Sequence, residues 1–287
     1  MKPHEILSYL LTFLLFSLAG STVSAKDNPF VPPKLPFKEA IIHYEVSGTS
    51  NGTETLYIRK HGQETAHRSK MMQKIMFMTQ QTDTLEITTP EYNYSIDFIN
   101  KQGKKSTNPQ KYMQEEYDKL SGNEKKIVDN NMKEMGYAGM NMMQGNLVEN
   151  ESEILGYKCD KMEFMGNTVY SIHKTGIPLK TITKMMGMNF TSAAVKIDKG
   201  GVSSDMFVPP PGIPMLDDPD GDQIARDQAQ QMIAMLKDEN AAEKMKQNTQ
   251  QLIQAHQQND SSETDTEQNA PDDPQMEESI NKAMETL

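Results

Sequence analysis

Tryptophan is absent from the 287-residue chain, cysteine occurs only at Cys159, and arginine only at Arg59, Arg68 and Arg226. A single cysteine excludes an intramolecular disulfide, so a packed core has to supply the stability even in an oxidising compartment. With so few arginines and no lysine-rich stripe, the chain lacks the cationic surface that nucleic-acid recognition uses. No Gly-x-Ser-x-Gly, His-Glu-x-x-His or phosphate-loop sequence is present, and His43, His61, His67 and His173 lack metal-ligand spacing. Asp218-Pro219-Asp220-Gly221-Asp222 departs from a calcium loop at Gln223 and Ala229, and reads as a helix cap. These absences point to a non-enzymatic protein that needs no cofactor.

Long apolar runs are also missing beyond residue 25, where nothing approaches the roughly 20 residues of a membrane-spanning helix. The first 25 residues read as a cleavable export signal. Lys2 and His4 precede an apolar stretch from Ile6 to Ala19, and Val23-Ser24-Ala25 supplies the small residues of a cleavage site. The mature chain is expected to be exported.

Charge is unevenly distributed. From Pro214 onward there are 17 acidic and 5 basic residues, a net −12, against 23 acidic and 24 basic in residues 1–213, a net +1. A nearly neutral body thus carries an acidic tail, and the tail is a candidate contact for an envelope protein partner.

After a proline-rich lead-in over 26–36, period-two alternation begins. Ile42, Tyr44 and Val46 share one strand face. Asn51-Gly52 offers a hairpin turn. Tyr92, Tyr94, Ile96 and Phe98 alternate with polar residues in a one-sided strand. At Asn108-Pro109 the period changes to helical, with Asn as N-cap and Met113, Tyr117 and Leu120 on one stripe. Ser121 and Glu124 form a capping box for a second helix carrying Ile127, Val128, Met132 and Met135, expected to end near Gly136. Strands resume from residue 152 to 208, with Gly166-Asn167 as a turn. A further helix is expected from Asp222 with Ala225, Ala229, Met232 and Leu236 on one side, a weaker one over 241–256, and disorder over 259–275. The pattern predicts a mainly β (α+β) chain: an unclosed antiparallel barrel or curved sheet over 37–215, a helical insertion over 108–143 and a helical extension over 216–258.

Gly156-Tyr157-Lys158-Cys159, Gly176-Ile177-Pro178-Leu179-Lys180 and Phe207-Val208-Pro209-Pro210-Pro211-Gly212, in that order, resemble the LolA/LolB-like superfamily of periplasmic lipoprotein carriers. The likeness covers about residues 37–213. It implies an open barrel whose concave side is plugged by helices and shelters an acyl chain or lipidated partner. It also implies a periplasmic location and a bacterial host, and sequons such as Asn51-Gly52-Thr53 are then chance matches. It supplies no ligand residue for any position here.

The residues best placed to line such a cavity are Tyr44, Val46, Leu56, Ile58, Tyr94, Ile96 and Phe98 on strands, with Met135, Met140 and Met143 as a lid. Methionine is the compositional outlier, at 23 residues. It suits an adaptable apolar surface or ordinary core filling, and its soft thioether also suits Cu(I). The expected function is therefore binding of a lipid or other apolar ligand. Copper handling through the methionine clusters and an envelope adaptor or stress-sensor role are the alternatives.

Overall fold

The computed structural model describes residues 28–247, apart from 32–33, 76–77, 143–145, 165, 186–187, 242, 245–246. The leader lies outside the described residues, as do the acidic tail and most of the helix expected over 241–256. One unit, Met1–Ala242, contains every element named below; Glu243–Leu287 forms a second unit.

Twelve strands make one sheet. The first six form a meander: β1 (Ala40–Gly48), β2 (Ser50–Arg59), β3 (Glu64–Ile75), β4 (Met78–Thr88), β5 (Tyr92–Asp97) and β6 (Gln102–Thr107). A second meander follows the helical insertion: β7 (Asn146–Ile154), β8 (Tyr157–Phe164), β9 (Asn167–Ile172), β10 (Pro178–Met185) and β11 (Met188–Lys199). β11 returns to pair with β1, so the spatial order is β12-β6-β5-β4-β3-β2-β1-β11-β10-β9-β8-β7. All pairs are antiparallel except the short β12 (Met215–Asp217), which lies parallel to β6. The two ends of the order do not pair, and the expected unclosed antiparallel sheet is what forms.

The β1–β2 turn uses a different glycine from the one expected. Gly48, at φ +124°, makes the reversal, whereas Gly52 lies in the ladder opposite Val46 and Met71. A Cβ on Gly52 would come within 2.0 Å of the Lys70 carbonyl oxygen, so glycine is required there for close strand approach.

The sheet has two cores on opposite faces. Ala40, Ile42, Tyr44 and Ile58 join Cys159, Ile172, Ile177, Leu179 and Ala194, with Leu35 and Phe37 of the lead-in laid across them. On the other face Ala66, Leu85, Ile87 and Ile96 pack beneath Val202 and Phe207, from the strap that follows β11. Ser203 starts that strap by accepting the Asp205 N–H, which opens the 3-10 turn Ser204–Phe207. Arg59 stacks on the Phe207 ring at 4.6 Å.

Three helices form a third cluster. α1 (Pro109–Asp118) is capped by Asn108, whose side chain accepts the Gln110 N–H. Ser121 and Glu124 exchange the hydrogen bonds of a capping box at the start of α2 (Gly122–Met142), which runs about one and a half turns beyond the expected stop at Gly136. α3 (Pro219–Leu236) is capped by Asp218, so the acidic loop has the helix-capping role read from the sequence. Tyr117, Val128, Ile233 and Leu236 are buried together, with Phe30, Met113, Leu120 and Met132 packed around them. The buried stripe of α3 is Ala229, Ile233 and Leu236; Met232, expected on that stripe, is exposed. Two contacts hold α3 in place. Asn131 donates to the carbonyl oxygens of Leu236 and Asp238, and Asp222 accepts the N–H and hydroxyl of Thr107 at the end of β6.

Candidate ligand-binding site

Register assigns each proposed ligand residue to a face. From β1 to β6 the pairing runs without a shift. One row is therefore Ile42, Leu56, His67, Glu86, Ser95 and Lys104, and the adjacent row on the opposite face is Ile41, Tyr57, Ala66, Ile87, Tyr94 and Lys105. Tyr44, Val46, Leu56 and Ile58 share the Ile42 face. Tyr94, Ile96 and Phe98 share the Ile41 face, so the two sets do not surround one cavity. Tyr44, Val46, Ile58 and Ile96 are moreover buried at 6% exposure or less. Met135 and Met140 lie within α2, and Met143 lies outside the described residues.

The Ile42 face changes character between β2 and β3. On the β1–β2 side it is apolar, and on β3–β6 it carries His67, Ser69, Thr84, Glu86, Ser95 and Asp97. Glu54 bridges the two regions: its carboxylate accepts the Ser192 hydroxyl at 2.7 Å and lies 4.0 Å from His67 Nε2. Burial pushes the Tyr44 hydroxyl well above its ordinary pKa, with the Glu54 charge adding to the shift. Desolvation raises the Glu86 carboxyl to about 7, although it accepts the Ser95 hydroxyl at 2.7 Å. Among the described residues, no three His, Cys, Asp or Glu side chains converge as a metal site.

An open cleft of about 370 Å³ lies instead on the second meander. Leu179, Ala193 and Ala194 form its floor, Ile154 and Tyr170 its walls, and Glu151, Ser152 and Lys180 its polar rim. Irregularities in three strand pairs shape it. Val195 is the extra residue of β11 opposite His43 and Tyr44, and Leu179 is the extra residue of β10 opposite Tyr170 and Ser171. In β7, residues 149–151 face Asp160 alone. Such bulges bend a strand and re-aim its side chains. Tyr44 supports the floor from beneath by donating to the Pro178 carbonyl oxygen at 2.9 Å. Among the described residues the Ser152 and Tyr157 hydroxyls are buried without a partner, and of the two only Ser152 belongs to the cleft lining. Burying an unsatisfied hydroxyl costs on the order of 1–3 kcal/mol.

The β7 bulge is braced by one carboxylate. Asp160 accepts the Asn150 N–H at 2.9 Å, the Lys174 N–H at 3.2 Å and the His173 Nδ1–H at 2.6 Å. Its partial burial works to raise the pKa, but these donors hold it below the ordinary carboxylate range. Sequence reasoning missed the cleft because bulges have no residue signature here. Its one accessible signal was Gly176-Ile177-Pro178-Leu179-Lys180, where Pro178 opens β10 immediately before the extra residue Leu179.

No family model matches the chain, and no curated protein sequence does. Among solved structures, an uncharacterized conserved protein from Thermus thermophilus aligns over 74% of this chain and 99% of its own, at 8% identity and a TM-score of 0.38. PNGF-II aligns over 69% of this chain at 12% identity and a TM-score of 0.34, and MucB over 61% at 10% and 0.29. The chain spans 33% of the PNGF-II chain and 58% of MucB. Likenesses at this level carry no functional argument. Among the described residues, no helix is long and apolar enough to cross a membrane.

Proposed function

We propose that this chain is an exported, non-enzymatic binding protein of LolA-like architecture. Its ligand is a small amphiphile seated in the cleft over β9–β11. The carrying observation is the cleft itself, where apolar Leu179, Ala193 and Ala194 meet the charged Glu151 and Lys180. Lys180 approaches the Tyr170 ring at 5.8 Å, which turns its charge along the cleft wall. A volume near 370 Å³ stands at the low end of ligand pockets, enough for one chain or ring and too little for several acyl chains. Apolar burial at about 25 cal/mol per Å² supplies the affinity, and the rim orients the head group. Export is supported by the leader-like first 25 residues.

The test is titration of the protein with a fluorescent fatty acid, with an Ala193→Phe variant that fills the cleft. Saturable uptake by the native chain and at least a tenfold weaker uptake by the variant are expected. Equal uptake by both chains would remove the cleft as the site.

A further inference from the structure

The two edges of the sheet are treated differently. The β6 edge is closed by β12 and by the Asp222–Thr107 contact from α3. At the other end, β7 is the last strand, and among the described residues nothing pairs with its outer side. Nine residues of backbone donors and acceptors face outward there or turn toward β8, a template for strand addition.

The side chains on this edge have a definite chemistry. Leu147 and Val148 are exposed at 40% and 39%. Glu149, Glu151 and Glu153 follow, all exposed, and none forms an ion pair within 4.0 Å among the described residues. Lys158 lies across the ladder from Glu153 without closing an ion pair, and Lys161, across from Val148, is engaged by Glu163 at 2.8 Å. Glu149 and Glu151 lie in the bulge braced by Asp160, both exposed, with Glu151 also at the cleft. Two such edges meeting would set glutamates of one copy against those of the other, which like-charge repulsion disfavours. The edge is thus shut to its own kind and open to a strand of opposite charge.

We propose that the outer edge of β7 is a docking site for an extended basic segment of a partner protein. The partner strand adds alongside Asn146–Val148, its apolar residues covering Leu147 and Val148 while its Lys or Arg side chains meet Glu149, Glu151 and Glu153. Main-chain hydrogen bonds supply affinity and the glutamates supply selectivity. Glu151 also lines the cleft, so the edge is tested through Glu149 and Glu153, which do not.

The experiment uses the full chain and two eight-residue peptides of alternating valine and lysine, or valine and glutamate. The lysine peptide is expected to bind at least tenfold tighter, to weaken as salt is raised from 50 to 500 mM, and to slow amide exchange over residues 146–154. The variant Glu149→Lys/Glu153→Lys, which spares the cleft residue Glu151, is expected to reverse the preference. Equal binding of the two peptides, or tight binding that leaves amide exchange over 146–154 unchanged, overturns the proposal, and both readouts are available on the native chain. Self-association blocked by the same double substitution would also overturn it, because the edge would then serve a second copy.

Discussion

Ile41 and Ile42, consecutive in β1, belong to different hydrophobic cores. Ile42 is fully buried beneath Leu35 and Phe37 with the second meander, and Ile41 packs on the reverse face with the cluster of Ile87 and Phe207. β1 is therefore apolar along Ala40, Ile42, Tyr44 and Val46, while its other face is apolar at Ile41 and turns polar at His43 and Glu45. This separation makes the two cores energetically distinguishable.

Ile42→Ala and Ile96→Ala, one on each face, should each cost about 2–5 kcal/mol, since both sites are inaccessible to solvent. Because the sites share no packing partner, the double variant should lose the sum to within about 0.5 kcal/mol. Urea unfolding followed by circular dichroism measures all three chains. A coupling energy well above that figure would show that strain crosses the sheet.

Glu86 titrates with the folded state holding its proton more tightly, at about 7 against 4.5 when unfolded. The stability it contributes is complete below pH 4.5 and is lost as pH rises through 7. Half-burial limits the effect to about 1–3 kcal/mol. Glu86→Gln should flatten the stability profile between pH 5 and 8, as measured by thermal melts at half-unit intervals. A variant that keeps the native slope contradicts this assignment.

Asp160 has the opposite sign. Its folded pKa is lowered by the Asn150, His173 and Lys174 donors, so its contribution is present above the unfolded value and disappears as pH falls through the folded one. Asp160→Asn should destabilise the chain at pH 7 by about 1–3 kcal/mol and flatten the acid limb of the profile. Amide exchange should accelerate at Asn150 and Lys174 first. Uniform acceleration across the sheet would instead mean that the brace is not local.

Asn131→Ala removes both hydrogen bonds that α2 gives to the C-terminal end of α3. A loss of about 1–3 kcal/mol is expected, because the Leu236 carbonyl oxygen loses its side-chain donor and the Asp238 carbonyl oxygen keeps only the Ala241 N–H. Hydrogen exchange should show α3 opening before β1 or β11. Simultaneous opening of helices and sheet would mean that they unfold as a single unit.

Local chemistry in this sequence was largely legible. Asn108-Pro109 and Ser121-Glu124 set helix starts through hydrogen bonds within a few residues, and the structure places both caps where they were read. Period two gave the faces of β1 and β5 individually. What alternation cannot give is the relation between strands: Tyr44 and Tyr94 each lie on an apolar face, but only pairing through β2, β3 and β4 shows that those faces are opposite. Met232 illustrates a related limit. A stripe through Ala225 and Ala229 fits Met232 or Ile233 equally well in spacing, and contact with α1 and α2 selects Ile233. The cleft escaped notice because its shape comes from extra residues such as Leu179 and Val195, whose register depends on partners up to about 150 positions away.

The pairing of β1 with β11 also fixes an order of events. Ala40 cannot meet Lys199, nor Gly48 meet Phe190, until almost the whole β region is present. Contacts so distant in sequence slow folding, because a long loop must close before they form. A chain that ends before Met188 leaves one side of β1 without its partner strand, with Ile42, Tyr44 and Val46 bare along that border.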